Sequence, residues 1–159
     1  MAIMADALAR PGLRSYSASL DIESPVEEAF ALLCSVEKWP VWLPFLRSAS
    51  LADPASPLQV GSEVIVRSSL PGYAEQLYEV DQLITNFHLS LVGAYSVRRT
   101  LDFRIERKTS RAKLRVKFSY PAYGGRLGAL LDAWRRGRRF ERWLGDALLQ
   151  FKGLAEYER

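Results

Sequence analysis

The chain has 159 residues, which is enough for one ordinary domain and too few for two. Hydrophobic residues make up 48% of it and charged residues 25%, a composition that excludes a disordered chain, a collagen-like repeat and a disulfide scaffold. The formal net charge of +4 is unevenly distributed, because residues 1–97 carry 5 basic and 11 acidic side chains, whereas residues 98–159 carry 17 and 7.

The N-terminal part of the chain predicts a leader followed by a strand. We expect residues 1–13 to be a flexible leader, since this stretch ends in a Pro-Gly turn dipeptide, and residues 14–157 to form a single domain. Apolar and polar side chains alternate over residues 15–22, which is the pattern of a half-buried strand.

A helix with a well-specified start follows this strand. Ser24 and Glu27 are spaced as a capping box, and Pro25 between them suits the first helical position, where no amide hydrogen is needed. Apolar residues three and four positions apart then predict a helix that ends at about Cys34. A shorter helical turn begins after it, and we expect Pro40 to stop or bend that turn.

The next segment is rich in aromatic residues and proline. Trp39, Trp42 and Phe45 lie within seven residues of one another and alternate with two prolines. We expect a bulky aromatic corner here rather than a regular helix, followed by a loop over residues 52–61.

Strands then follow one another with short connections. The patterns predict strands over 63–70, 73–85, 87–92, 100–106 and 111–120. Imperfect alternation in the second of them indicates a β-bulge. The short connections predict an antiparallel meander with one buried and one exposed face. In the last strand we expect Leu114, Val116 and Phe118 to face the interior.

The C-terminal segment changes to a period of 3.6 residues, which predicts one long helix from about Arg126 to Glu156. Trp134 lies on its apolar stripe, where it either fills the core or borders a cavity. The densest run of charge in the helix consists of Arg135, Arg136, Arg138, Arg139 and Arg142. Helical spacing spreads these five over more than half of the circumference, so we expect a solvated face rather than a nucleic-acid or anionic-lipid site.

Side chains with common catalytic or metal-binding chemistry are scarce in this sequence. Cys34 is the only cysteine and His88 the only histidine, so no disulfide can form within the chain and no Cys/His zinc cluster exists. The Gly-x-Ser-x-Gly, Walker and Gly-x-Gly-x-x-Gly motifs are missing. We therefore predict no catalytic residue, no cofactor and no metal. Neither a signal peptide nor a membrane span is evident, so we expect a cytoplasmic protein.

Four segments, taken in order, match the pattern of a known superfamily: 22–30, 39–45, 60–62 and 148–156. The first looks like a strand that runs into a Pro-led helix, the second like a Trp-x-x-Trp-x-Pro segment, the third like the glycine that opens the next strand, and the fourth like the usual helix ending. The sequence thus resembles the START-like superfamily (SRPBCC), in particular its polyketide cyclase/dehydrase and lipid-transport branch, which includes the Bet v 1-like proteins.

This resemblance implies an α+β helix-grip fold, in which a curved antiparallel β-sheet is wrapped around a long C-terminal α-helix and two short helices follow the first strand. Members of the superfamily often enclose an apolar cavity between sheet and helix. We therefore expect a cavity here that holds a small hydrophobic ligand.

The side chains predicted to face that cavity are the candidate ligand-binding residues. They are Trp42, Phe45, Val64, Val66, Tyr78, His88, Phe103, Leu114, Val116, Phe118, Tyr120, Leu130, Trp134 and Leu144. The hydroxyl groups of Tyr78 and Tyr120 are suited to orient a ligand. His88 would be an acid or base if it faced the cavity. Alternation does not decide its face, because residues 87, 89 and 91 or residues 88, 90 and 92 could form the inward set.

Two classes of function stay open from the sequence. One is the binding or transport of a small hydrophobic ligand, such as a lipid, an isoprenoid or a polyketide-like molecule. The other is a polyketide cyclase/dehydratase-type enzyme that acts on a ligand in the same cavity. The enzyme needs at least one acid or base inside the cavity, and the predicted inward residues are almost all apolar, which favours binding. We expect no nucleic-acid partner and no stable membrane insertion.

Overall fold

An antiparallel sheet and a long helix make up most of the fold. The computed structural model describes the backbone of residues 3–4, 13–69, 75–121 and 125–157, and the side chains of residues 14–69, 75–95, 99–121 and 139–157. Its strands are β1 (Ile3–Met4), β2 (Leu13–Ile22), β3 (Leu46–Leu51), β4 (Glu63–Ser68), β5 (Glu75–Ile84), β6 (His88–Gly93), β7 (Ser96–Lys108) and β8 (Arg111–Pro121). Its α-helices are α1 (Val26–Cys34), α2 (Trp39–Trp42) and α3 (Gly125–Tyr157), and a 3₁₀ turn (Val36–Lys38) joins the first two.

The described strands form one sheet in the order β1-β2-β8-β7-β6-β5-β4-β3, with antiparallel neighbours throughout. Since β2 and β3 lie towards opposite edges, the helical segment between them crosses the inner face of the sheet, where α1 contacts β7 and β8. α3 packs against β2, α1 and α2. The predicted α+β helix-grip fold is confirmed, including the two short helices after the first long strand.

The strand predictions hold for β4, β5, β6 and β8, whose ends lie within two residues of the predicted ones. The predicted bulge in β5 is present, because its register with β6 shifts between Val80 and Gln82. β3 was not predicted. Its register with β4 shifts between Leu46 and Ser48, which breaks the alternation of buried and exposed side chains on which sequence analysis depends. β1 lies in the segment expected to be a leader and pairs with β2.

The predicted capping box at the start of α1 is wrong. The helix is preceded by Pro25, with no side-chain cap, and the buried Ser24 hydroxyl donates to Glu28 Oε2 at 3.2 Å instead. The Glu27 carboxylate accepts a hydrogen bond from its own backbone amide and pairs with the Arg107 guanidinium on β7, and both contacts lower its pKa. Sequence spacing alone does not reveal this long-range ion pair.

Pro40 does not end the helical turn in which it lies. The 3₁₀ turn runs directly into α2, and Pro40 is the second residue of that helix, where its missing amide hydrogen leaves no helical bond unmade. The Leu43 amide closes the turn by donating to the Trp39 carbonyl oxygen at 2.8 Å. The predicted aromatic corner is therefore a single helical turn that holds Trp39 and Trp42 towards the sheet.

Four aromatic side chains occupy the centre of the core. Trp39, Trp42, Phe103 and Phe151 are each 0% exposed. The Trp42 ring meets Phe103 and Phe151 edge-on, at centroid distances of 5.9 and 4.9 Å. The Trp39 Nε1 donates to the Leu33 carbonyl oxygen at 2.8 Å. Because these rings come from α2, β7 and α3, their contacts fix both helices on the inner face of the sheet.

The long C-terminal helix runs close to its predicted bounds. In its described half, the buried side chains are Phe140, Leu144, Ala147, Leu148, Phe151 and Ala155, a spacing of three and four that places one stripe against the sheet. Arg139 and Arg142 are exposed, whereas the side chains of the other three arginines of the run lie outside the described residues. No helix in the described part of the chain is both long and apolar enough to cross a membrane.

Candidate ligand-binding site

A small cavity lies between the sheet, the segment from α2 to β3, and α3. Its volume is about 50 Å³, and it is partly open to solvent. The described residues that line it are Trp39, Leu43, Phe45, Leu46, Val66, Ser68, Gln76, Tyr78, Leu101, Phe118 and Phe140. Eight of these eleven side chains are apolar, so the cavity suits an apolar molecule.

The lining side chains that come from the sheet all point to its inner face, because side chains alternate between the two faces along each strand. Val66 on β4 lies opposite Gln76 on β5, and Leu101 on β7 lies opposite Phe118 on β8. Directly paired residues share one face of a sheet, and successive residues point to opposite faces. The inner face of four strands therefore supplies one wall of the cavity.

Phe140 of α3 closes the cavity on the opposite side. Its ring stacks on Phe118 with a centroid distance of 5.0 Å and an interplanar angle of 17°, and it meets Phe45 at 5.8 Å. Phe45 and Phe118 are only half-buried. This group of three rings, which we call the aromatic wall, lines the cavity on the side of α3.

The polar groups of the described lining are uncharged. The Ser68 hydroxyl donates to the Phe45 carbonyl oxygen at 3.1 Å. Tyr78 is buried, with 5% of its surface exposed, and Gln76 is half-buried. None of the described residues that line the cavity carries a carboxylate, an amine, a guanidinium or an imidazole. The described lining therefore offers neutral hydrogen-bonding groups to a ligand.

The candidate residues divide between this cavity and the packed core. Those in the lining are Phe45, Val66, Tyr78 and Phe118. Those buried elsewhere in the core are Trp42, Val64, Phe103, Leu114, Val116 and Leu144. Tyr120 borders the aromatic wall, since its ring lies 5.6 Å from Phe118 and 6.5 Å from Phe140. The side chains of Leu130 and Trp134 lie outside the described residues. A role of these residues in ligand binding stays a prediction.

Sequence analysis missed several lining residues, of which Leu46, Gln76 and Phe140 are the most informative. Leu46 belongs to the bulged strand β3, for which the sequence carries no clear pattern. Phe140 lies within the arginine run but four residues before Leu144, so the helical period of the apolar stripe contained a signal for it. Gln76 is a polar residue on an inward position, which apolar patterning cannot detect.

His88 lies on the outer face of the sheet, which corrects its assignment to the cavity. Its register partner is Arg104, whereas the next residue, Leu89, lies opposite Phe103 in the core. The His88 Nε2 is hydrogen-bonded to Asp102 Oδ2 at 2.6 Å, and His88 is only 5% exposed. The single histidine of the chain is therefore a buried residue of the outer face and does not contact the cavity.

Replacing His88 by alanine is expected to lower the free energy of unfolding by about 1–3 kcal/mol, because the Asp102 carboxylate loses its hydrogen bond with the buried imidazole and keeps the Arg104 guanidinium, whose Nε lies 3.3 Å from Oδ1. Urea denaturation measures this effect. A variant with unchanged stability would contradict the buried, hydrogen-bonded placement of the ring.

The sequence matches no protein-family model and no curated protein. Solved structures match its fold over most of the chain. TTHA0849 from Thermus thermophilus superposes with a TM-score of 0.73 at 12% identity, over 91% of this chain and 98% of that one. The Zhui aromatase/cyclase from Streptomyces sp. R1128 gives 0.71 at 13% identity, over 91% and 94%. A START superfamily protein from Mycobacterium smegmatis gives 0.64 at 15% identity, over 91% and 99%.

Similarity at these identities establishes the fold and not the activity. The chain has the START-like, Bet v 1-like (SRPBCC) fold, as its sequence predicted. In this fold the sheet curves around the C-terminal helix, and the cavity described above lies between the two.

Proposed function

We propose that this protein binds a small hydrophobic ligand, of the lipid, isoprenoid or polyketide-like class, in the cavity between the sheet and α3. The observation that carries the proposal is the convergence of mostly apolar side chains from α2, five strands and α3 on space that they leave unfilled. The structural neighbours support it, since they include an aromatase/cyclase and a START superfamily protein.

The cavity is smaller than a usual ligand site, so binding requires it to open. Ligand sites usually occupy about 300–1,000 Å³, whereas the space lined by the described residues here is about 50 Å³. A ligand of the proposed class therefore has to enlarge it. The aromatic wall is the part that moves at least cost, because two of its three rings are already half-buried. Displacing packed rings consumes part of the binding free energy, so affinity depends on how readily the wall opens.

A cyclase or dehydratase that acts on a ligand in the same cavity is the second candidate, and the similarity to the aromatase/cyclase favours it. Such chemistry needs an acid or base within hydrogen-bond reach of the substrate. The described lining offers the hydroxyls of Ser68 and Tyr78 but neither a carboxylate nor an imidazole, and His88 lies on the other face. We therefore place binding ahead of catalysis.

Thermal melting with a panel of fatty acids, quinones and polycyclic aromatics tests the proposal. A ligand that occupies the cavity is expected to stabilise the fold by about 2.7 kcal/mol at a concentration of 100 times its Kd. Extraction after incubation should return the ligand with unchanged mass and chromatographic retention, because binding breaks no bond. A converted ligand would favour the enzyme, and a panel without any stabilising member would contradict both candidates.

Val66→Phe and Ile65→Phe form a matched pair of variants at adjacent positions of β4. Val66 lines the cavity, whereas Ile65 lies on the other face of the sheet and lines a separate pocket. Val66→Phe should fill the cavity and abolish stabilisation by the ligand, at an overpacking cost of about 1–3 kcal/mol. Ile65→Phe should leave stabilisation intact. If Val66→Phe does not fold, Val66→Leu should reduce the stabilisation, and an equal response of both positions would place the ligand elsewhere.

A further inference from the structure

Gln76 is a polar side chain on an inward position of β5. Its register partner is Val66, and both residues line the cavity. Gln76 also lines a second pocket of about 370 Å³, together with Ile65, Glu75, Leu77, Gly93, Tyr95 and Arg99. It therefore lies at the boundary between the apolar interior and a larger, more polar pocket.

The Gln76 amide is well suited to hold an oxygen atom of a ligand. It carries both a donor and an acceptor and no charge. Among the described residues, no side-chain hydrogen bond engages it, whereas the neighbouring Ser68 hydroxyl already donates to the Phe45 carbonyl oxygen. A hydrogen-bonding group next to an apolar cavity gains most from a partner that enters with the ligand, because its partners in water are displaced at the same time.

On the basis of the proposed function, we infer that Gln76 determines the specificity of the site: its amide hydrogen-bonds a neutral carbonyl or hydroxyl group of a ligand whose apolar body lies against the aromatic wall. On the cavity side of Gln76 the described lining is uncharged, so burying an ionised carboxylate there costs far more than burying a neutral oxygen, whereas the charged Glu75 and Arg99 belong to the second pocket. The ligand class is therefore hydrophobic ketones, quinones and alcohols, ahead of hydrocarbons and fatty acids.

Indane and 1-indanone test this inference, because the two probes differ by a single carbonyl group. Calorimetric titration gives the ratio of their dissociation constants for the intact protein and for Gln76→Leu. We expect Gln76→Leu to weaken 1-indanone binding relative to indane by about 3- to 10-fold, the equivalent of one hydrogen bond. Gln82→Leu is the matched control, since Gln82 is an exposed residue of the same strand that pairs with Ser90 on the outer face. Its ratio should equal that of the intact protein.

The outcomes separate this inference from the function on which it rests. If indane binds and Gln76→Leu leaves the ratio unchanged, the role of Gln76 is overturned while the apolar site stands. If neither probe binds the intact protein, the proposed cavity site fails as well. Should Gln76→Leu not fold, Gln76→Met removes the same amide with an unbranched side chain and is expected to shift the ratio equally.

Discussion

Replacing Phe103 by alanine is expected to lower the free energy of unfolding by about 3–5 kcal/mol. Phe103 is 0% exposed, and its ring lies 5.8 Å from that of Trp39 and 5.9 Å from that of Trp42. The loss combines the transfer of a benzyl group to water with the cost of a void that the two indole rings, held by α2, cannot refill. Because each kcal/mol shifts Tm by about 2–4 °C in a domain of this size, thermal melting and urea denaturation both resolve the effect.

Phe87→Ala is the control for this variant. Phe87 precedes β6 and is 44% exposed, so its removal should cost less than about 1 kcal/mol. The sequence predicted that Phe103 borders the cavity, and a residue beside a pre-existing void would lose less on truncation. Equal, small losses for both variants would therefore contradict the packed aromatic centre described here.

Phe140→Ala is expected to have two effects of opposite sign. Stability should fall by about 3–5 kcal/mol, because Phe140 is 7% exposed and its ring lies 5.3 Å from that of Tyr16 and 5.0 Å from that of Phe118. Binding of naphthalene should become at least about tenfold tighter. The space left by the benzyl group joins the cavity of about 50 Å³, and engineered cavities of about 150 Å³ already bind benzene.

Phe151→Ala separates the second effect from the first. Phe151 lies on the same buried stripe of α3 and is 0% exposed, but it packs against Trp42 and not on the cavity. Its truncation should cost a similar amount of stability, yet leave a void too small for a bicyclic molecule. Urea denaturation and fluorescence titration with naphthalene measure both quantities. Equal naphthalene affinities of the two variants would show that Phe140 does not border the binding space.

Periodic patterns made much of the fold predictable from sequence. In β8, Leu114 and Val116 are 0% exposed while Arg115 is exposed, as strict alternation required. The long helix followed from its 3.6-residue period for the same reason, since burial against a partner surface imposes the period of the backbone. Where the local pattern and the tertiary packing agree, the sequence is enough to predict the strand or helix and its buried face.

The candidate site was less predictable, because it depends on contacts between distant segments. The face of His88 could not be decided, since apolar residues occur on both faces of β6 and the histidine is buried by Asp102, fourteen residues away. The capping box failed because Ser24 donates to Glu28 instead, while Glu27 pairs with the distant Arg107. Phe45 and Phe140 are distant in the sequence but in contact within the aromatic wall, and no local signal specifies where such side chains leave space unfilled.

The most direct test of the binding site is the measurement of nuclear Overhauser effects between the protons of bound 1-indanone and the side chains of the isotope-labelled protein. The account predicts contacts from the ligand to the ring protons of Phe118 and Phe140 and to the methyl groups of Val66, all of which line the cavity. No contact to His88 is expected, since it lies on the outer face. Ligand contacts confined to the outer face, with none to the three cavity residues, would contradict the proposed site.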